Sequence, residues 1–291
     1  MSHSAGEGST WKVREDGAFR LMGVVNVTPD SFSDGGLYLD PSEAIARGLE
    51  LEAEGAAILD IGGESTRPGA APVAEEVELG RVLPVIEGLV SAGTKAQLSI
   101  DTYKGAVATA ALQAGATLVN DVTALRGDPE MAGIIADAGA DCCLMHMLGD
   151  PRTMQLDPRY EDVVSDVKAF LVERMSLAVD EGVAEEHILL DPGIGFGKTV
   201  RHNLELVRRI HELVTVGRTV VIGTSRKSFL GKLTGREAQE RVAGTIATNV
   251  LAYERGVRVF RVHDVAPVHD ALEVAAATVT APWRSPTSST S

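Results

Sequence analysis

Short apolar runs alternate along the chain with longer stretches in which apolar positions recur every three or four residues. The runs are LMGVVNV from Leu21, AILDIGG from Ala57, AQLSIDT from Ala96, TLVNDVT from Thr117, DCCLMH from Asp141, HILLDPG from His187, TVVIGTS from Thr219 and VRVFRVHD from Val257. Near-continuous apolar runs suit strands covered on both faces, and the intervening periodicity is that of crossover helices. The pattern predicts eight βα units on a parallel sheet. Gly55, Gly93, Gly115, Gly139 and Gly217 each stand shortly before the next strand, where a left-handed cap ends a helix. An open doubly wound sheet would use the same units, but no G-x-G-x-x-G opens the first helix. The expected fold is therefore α/β, a single-domain (β/α)8 TIM barrel over residues 21–280.

Polar residues interrupt the pattern at one place in each unit, the C-terminal end of the strand. They are Asn26, Asp60, Asp101, Asn120 with Asp121, His146, Asp191, the run Ser225-Arg226-Lys227, and Arg261 with His263. In a barrel these ends converge on the face where active sites form. One Asp there can cap a helix and one His can be a satisfied core residue. So many amides and carboxylates at one edge require hydrogen-bond partners or a ligand.

The set divides by chemistry. Asp101, Asn120 and Asp191 offer acceptors and an amide, matching a flat heterocycle that presents N–H donors and a carbonyl. Lys227, Arg261 and His263 offer positive charge, and Arg261 and His263 lie two apart on one strand, hence on one face. That combination suits an anionic group such as phosphate or pyrophosphate. Two loops rich in Gly, Pro, Ser and Asp, NVTPDSFSDGG from Asn26 and GGESTRPGA from Gly62, have the composition of mobile connections that close over substrate. DPGIGFGKT from Asp191 is no phosphate loop, because Pro192 stands where G-x-x-x-x-G-K-[ST] requires Gly.

Composition narrows the function further. A net charge of −14 argues against a nucleic-acid surface, so an anionic small molecule would need a local basic pocket. No uninterrupted apolar run is long enough to span a membrane, and the N-terminus lacks the basic flank and apolar stretch of a signal peptide, which makes the cytoplasm the expected compartment. Residues 1–20 read as a flexible segment and 281–291 as a disordered Ser/Thr-rich tail. The adjacent Cys142 and Cys143 would point to opposite faces of a strand, so buried reduced thiols are expected rather than a disulfide.

The segments MGVVNVTPDSFSDGG, LDIGGESTRPGA, SIDTYK, VNDVTA, LMHMLGDPRTMQ, LLDPGIGFGKT, IGTSRKSFLG and FRVHDVAP, in that order, resemble the dihydropteroate synthase family from about Leu21 to Ala276. The resemblance implies condensation of 6-hydroxymethyl-7,8-dihydropterin pyrophosphate with 4-aminobenzoate, assisted by Mg2+. It implies that Asn26 contacts the magnesium and that Arg261 and His263 bind pyrophosphate. Asp101, Asn120, Asp191 and Lys227 would hold the pterin, with Met145 and Phe196 lining its slot. Phe32, Thr66, Arg67 and Pro68, with Ser228, would form the 4-aminobenzoate pocket, and Asp34 would help the first loop close. No role for Asp60 or His146 follows beyond support of these groups. A homodimer through helices remote from the active face is implied as well. Two rivals are a pterin-dependent methyltransferase domain, opposed by the intact NVTPDSFSDGG and ESTRPGA loops, and a catalytically silent paralogue, opposed by intact Asn26, Arg67, Lys227, Arg261 and His263.

Overall fold

The computed structural model describes residues 18–28, 40–65, 70–149 and 153–279. Its strands are β1 (Arg20–Asn26), β2 (Ala56–Gly62), β3 (Gln97–Asp101), β4 (Leu118–Asp121), β5 (Asp141–Met145), β6 (Ile188–Asp191), β7 (Thr219–Ile222) and β8 (Val259–Val262). All pair in parallel with their sequence neighbours, and β8 returns to β1, closing the barrel. Around it run α1 (Pro41–Ala53), α2 (Glu75–Ala92), α3 (Gly105–Ala114), α4 (Met131–Ala138), α5 (Val163–Asp180), α6 (Val200–Arg208), α7 (His211–Val214), α8 (Ser228–Thr234), α9 (Val242–Glu254) and α10 (Val265–Val279).

Several strands are shorter than the apolar runs that predict them. His187 belongs to a 3-10 turn, and β8 stops before His263. At the end of β4, Asp121 turns away from the barrel interior and accepts from the backbone N–H groups of Thr123 and Leu125, at 2.7 and 2.8 Å. Those bonds tie down a left-handed turn at Ala124 and Leu125, so Asp121 is structural.

Strand alternation separates two cores. Outward residues such as Ile61, Ile100, Leu144 and Leu190 pack beneath the helices, while Met22, Ile58, Leu118, Cys143, Leu189, Val221 and Val259 fill the barrel. Cys142 falls in the outer core and Cys143 in the inner one, and both thiols are free. Burial pushes both thiols well above their ordinary range, leaving them protonated and unreactive. Each large apolar side chain sealed there contributes roughly 1.5–3 kcal/mol, so the interior below the mouth is a rigid plug. One residue pair above it, inward positions become polar: Asp60 lies opposite Ser99, and Asp101 opposite Asn120.

Helix starts carry a second signal. Asp40 caps α1 and Asp162 caps α5, each accepting a backbone N–H at 2.8 Å. The caps of α3 and α8 are instead Lys104 and Lys227, neither of which makes a side-chain cap bond. Lysine has no acceptor to cap with, a choice that forgoes about 1 kcal/mol of helix stability. Both lysines point their charge at something else.

Candidate active site

The centre of the mouth is organised by one buried carboxylate. Asp60 has no exposed surface, and it accepts from Ser99 Oγ at 2.6 Å, Asn120 Nδ2 at 3.0 Å and Arg261 Nε at 2.6 Å. Arg261 reaches on through Nη2 to Asp101 Oδ2 at 2.7 Å. Four strands are thereby joined across the barrel. Because Asn120 gives its N–H to Asp60, its Oδ1 remains the acceptor for a ligand.

Charge in this layer is set by burial. Burial pushes Asp101 up to about 7, against the pull of Arg261 and with the neighbouring charge of Asp60 adding to the rise. Asp191 is raised by burial too, although the Gly193 N–H, which it accepts at 2.7 Å, and the Lys227 charge work the other way. Burial and then Arg261 push Lys227 down to about 8. Arg261 resists its own burial because Asp60 and Asp101 more than offset it, and the guanidinium stays charged.

The segment after β6 shapes one wall. Gly193 has φ 66°, and a Cβ there would sit 1.9 Å from the His146 carbonyl oxygen, so only glycine fits. Gly195, at φ 85°, lets the Lys227 stem pass where a Cβ would meet its Cδ at 3.1 Å. The Lys227 ammonium then lies 4.0 Å from the centre of the Phe196 ring. Phe196 and Met145 belong to one apolar cluster with Val122, Met147 and Met154, and Tyr103 packs against it. The wall is pinned by Lys198, a buried amine that burial pushes down to about 7, which meets His146 Nδ1 at 2.9 Å and donates to the carbonyl of Phe196 at 3.0 Å. His146 packs edge-on against Phe170 and is held neutral, first by burial and then by the Lys198 charge. It supports the wall from behind and does not reach the mouth.

The opposite wall corrects one expectation from sequence. His263 lies past the end of β8, and Ser225 Oγ accepts its backbone N–H at 3.1 Å. The same Oγ lies 3.0 Å from His263 Nδ1, close enough for the two to share one hydrogen. Burial, with Arg261, Arg226 and Lys227 around it, pushes His263 down to about 3. The imidazole is neutral and brings no charge to the mouth. Among the described residues of this polar layer, positive charge comes from Lys227 and Arg261. Arg226, a non-glycine residue at φ 57°, ties the loop after β7 to that after β8 through Asp264.

Asn26 ends β1 half-buried beside Gly62, and Ser228 is the exposed first residue of α8. Phe32, Asp34, Thr66, Arg67 and Pro68 lie outside the described residues. The structure thus brings together Asp101, Asn120, Met145, Asp191, Phe196, Lys227, Arg261 and His263. Among the described residues no three His, Cys, Asp or Glu side chains are grouped to hold a metal.

A family model described as pterin binding enzyme matches residues 22–263. Dihydropteroate synthase of Escherichia coli (strain K12) is 41% identical over 261 residues, covering 90% of this chain and 92% of that protein. The chain belongs to the dihydropteroate synthase family of pterin-binding enzymes. Among solved structures, Xanthomonas albilineans dihydropteroate synthase with 4-aminobenzoic acid superposes with TM-score 0.86 at 50% identity, over 91% of this chain and 94% of that one. Dihydropteroate synthase from Xanthomonas albilineans in complex with 7,8-dihydropteroate gives TM-score 0.82 at 47% identity, over 91% of this chain and 95% of that one. The polar layer above the plug lies within the residues matched by the family model. The sequence reading missed the place of Asp60 as its hub and that of Lys198 as the brace of the Phe196 wall. A signal existed for each: two polar residues of matching parity, Asp60 and Ser99, inside apolar runs, and a lysine following three closely spaced glycines.

Proposed function

We propose that the protein is a dihydropteroate synthase, joining 6-hydroxymethyl-7,8-dihydropterin pyrophosphate to 4-aminobenzoate with release of pyrophosphate. The observation that carries this reading is the Asp60 hub, which fixes Asp101, Asn120 and Arg261 together at the barrel mouth. In this reading the carboxylates of Asp101 and Asp191 and the Asn120 oxygen accept from the pterin edge, while Met145 and Phe196 line its faces. The C–O bond of the exocyclic methylene breaks, and its electron pair leaves with pyrophosphate. The 4-aminobenzoate nitrogen forms the new C–N bond and releases a proton. Lys227 and Arg261 stabilise the departing charge, and His263 adds an N–H donor to it.

Magnesium belongs to this reading. The ion needs only one or two protein oxygens when substrate phosphates and water complete its shell, so the Asn26 amide at the end of β1 suits it without an acidic cluster. When bound, it would neutralise charge on the leaving pyrophosphate. Phe32, Thr66, Arg67 and Pro68, with Ser228, are assigned to 4-aminobenzoate, and Asp34 to closure of the first loop. Arg67→Ala is expected to raise the KM for 4-aminobenzoate by about tenfold or more while the Kd for pterin pyrophosphate stays within about twofold. Equal weakening of both substrates, read by steady-state kinetics and calorimetry, would remove that division of roles.

Titration adds a test. Asp101 accepts best when ionised and Lys227 acts as a cation, so pterin affinity should rise as pH passes about 7 and fall again above about 8. Calorimetry with 6-hydroxymethyl-7,8-dihydropterin, which has no phosphate to titrate, checks it. The alkaline limb should vanish in Lys227→Arg, and a flat profile in the unmodified protein would contradict the assignment.

Exposed Leu204, Leu251 and Val274 on the neighbouring helices α6, α9 and α10 support a homodimer through that side of the barrel. A cytoplasmic setting accords with the two free buried thiols. Pyrophosphate release that depends on 4-aminobenzoate tests the activity. Pterin binding without release would indicate a silent paralogue, and methyl transfer from a folate would indicate a methyltransferase.

A further inference from the structure

Outside the site assigned to the pterin, the described residues at the mouth include a second buried charge cluster, and it lies between the ends of the second loop. Glu64 follows β2 by two residues, and Lys104 follows β3 by three. The Lys104 ammonium donates to the carboxylates of Glu64 and Glu78 and to the carbonyl of Val73, the last at 2.7 Å. An ammonium has three hydrogens, so its donors are fully used. Glu64 in turn accepts from the Val73 N–H at 3.2 Å and from the Tyr103 hydroxyl at 3.0 Å. Both backbone polar groups of Val73 are therefore held by the same ion pair.

The start of α2 closes round this point. Arg81 donates to the Gly63 carbonyl at 2.6 Å, and a Cβ on Gly63 would meet Val82 and Glu78 side-chain atoms at 2.8 and 2.9 Å. Glu78 is 1% exposed and Lys104 9%, too deep for an ordinary surface pair. Retaining a lysine at the cap of α3 forgoes a capping bond there. A buried ion pair of this kind is weak evidence for stability and is better explained by the geometry it fixes. What it fixes is where the chain leaves β2 at 64 and where it leads into α2 at 73, with the end of β3, which carries Asp101, as the anchor.

We propose that Lys104 is a positioning residue for the second substrate: it clamps both ends of the loop after β2 to the strand that holds the pterin. The inference rests on the assignment of that loop to 4-aminobenzoate. It predicts that loss of the clamp harms 4-aminobenzoate use and spares pterin binding.

The test uses the full chain with Lys104→Met, Glu64→Gln and Glu78→Gln. The expected result is a rise of about tenfold in KM for 4-aminobenzoate in Lys104→Met and a smaller rise in the two glutamine variants, with the Kd for pterin pyrophosphate within about twofold of the parent. Hydrogen exchange at the Val73 amide should accelerate in all three. Should Lys104→Met fail to fold, the glutamine variants, which keep side-chain size, carry the test. Unchanged KM and unchanged Val73 exchange in folded variants would overturn the proposal, as would parallel weakening of both substrates. If the parent protein forms no dihydropteroate, the functional reading fails, and Val73 exchange alone then decides the clamp.

Discussion

Arg261→Met is expected to destabilise the fold by about 3–5 kcal/mol and to lower turnover by roughly 10²-fold or more. The stability loss follows from what the guanidinium holds: Asp60, fully buried, and Asp101, nearly so, both bonded to it at 2.6–2.7 Å. Methionine fills much of the volume but leaves two carboxylates facing each other without a cation. The activity loss has a separate cause, because Arg261, with Lys227, is also a cation placed to meet the departing charge. Denaturant unfolding and product formation measure the two effects independently. A double variant, Arg261→Met with Asp60→Leu, should regain part of the stability, since the pair is replaced by apolar groups, and none of the turnover. Recovery of both together would mean that Arg261 serves only the fold.

Asp60→Asn is expected to cut kcat/KM for pterin pyrophosphate by about 10²-fold although Asp60 need not touch the substrate. Its two oxygens take three donors, from Ser99, Asn120 and Arg261. An asparagine has one oxygen and brings an NH2 group, so at least one donor loses its partner at a cost of about 1–3 kcal/mol. The Asn120 amide is then free to turn, presenting N–H where the pterin edge needs an acceptor. Pterin affinity by calorimetry should fall while 4-aminobenzoate KM, measured at saturating pterin pyrophosphate, changes little. Unaltered pterin affinity would show that Asn120 is oriented by something other than Asp60.

The barrel was legible in sequence because its two periods differ so plainly: runs such as AILDIGG and TVVIGTS cannot be one face of a helix, and the glycines at 55, 93, 115, 139 and 217 mark where helices stop. Those glycines all adopt positive φ in the structure. Strand ends were less legible, because His263 keeps the alternation of β8 while its backbone already lies beyond the strand, and Asp121 ends β4 with its side chain turned to the following turn. Most of the polar cluster at the mouth could be read as well, since Asp101, Asn120, Asp191, Lys227 and Arg261 stand out as polar residues at apolar strand ends. Charge state could not. His263 is neutral because it is buried and because Arg261 of β8 and Arg226 and Lys227 of the loop between β7 and α8 converge on it, and no local pattern encodes that convergence. The same holds for Lys104, whose partners lie 26 to 40 residues away along the chain.

The most direct measurement of the central claim is formation of 7,8-dihydropteroate by the purified protein from 6-hydroxymethyl-7,8-dihydropterin pyrophosphate, 4-aminobenzoate and magnesium, with each omitted in turn. Product and pyrophosphate should appear in equal amounts, and only when all three are present. Tight pterin binding with no product under any of these conditions would contradict the account and leave a pterin-binding barrel without synthase activity.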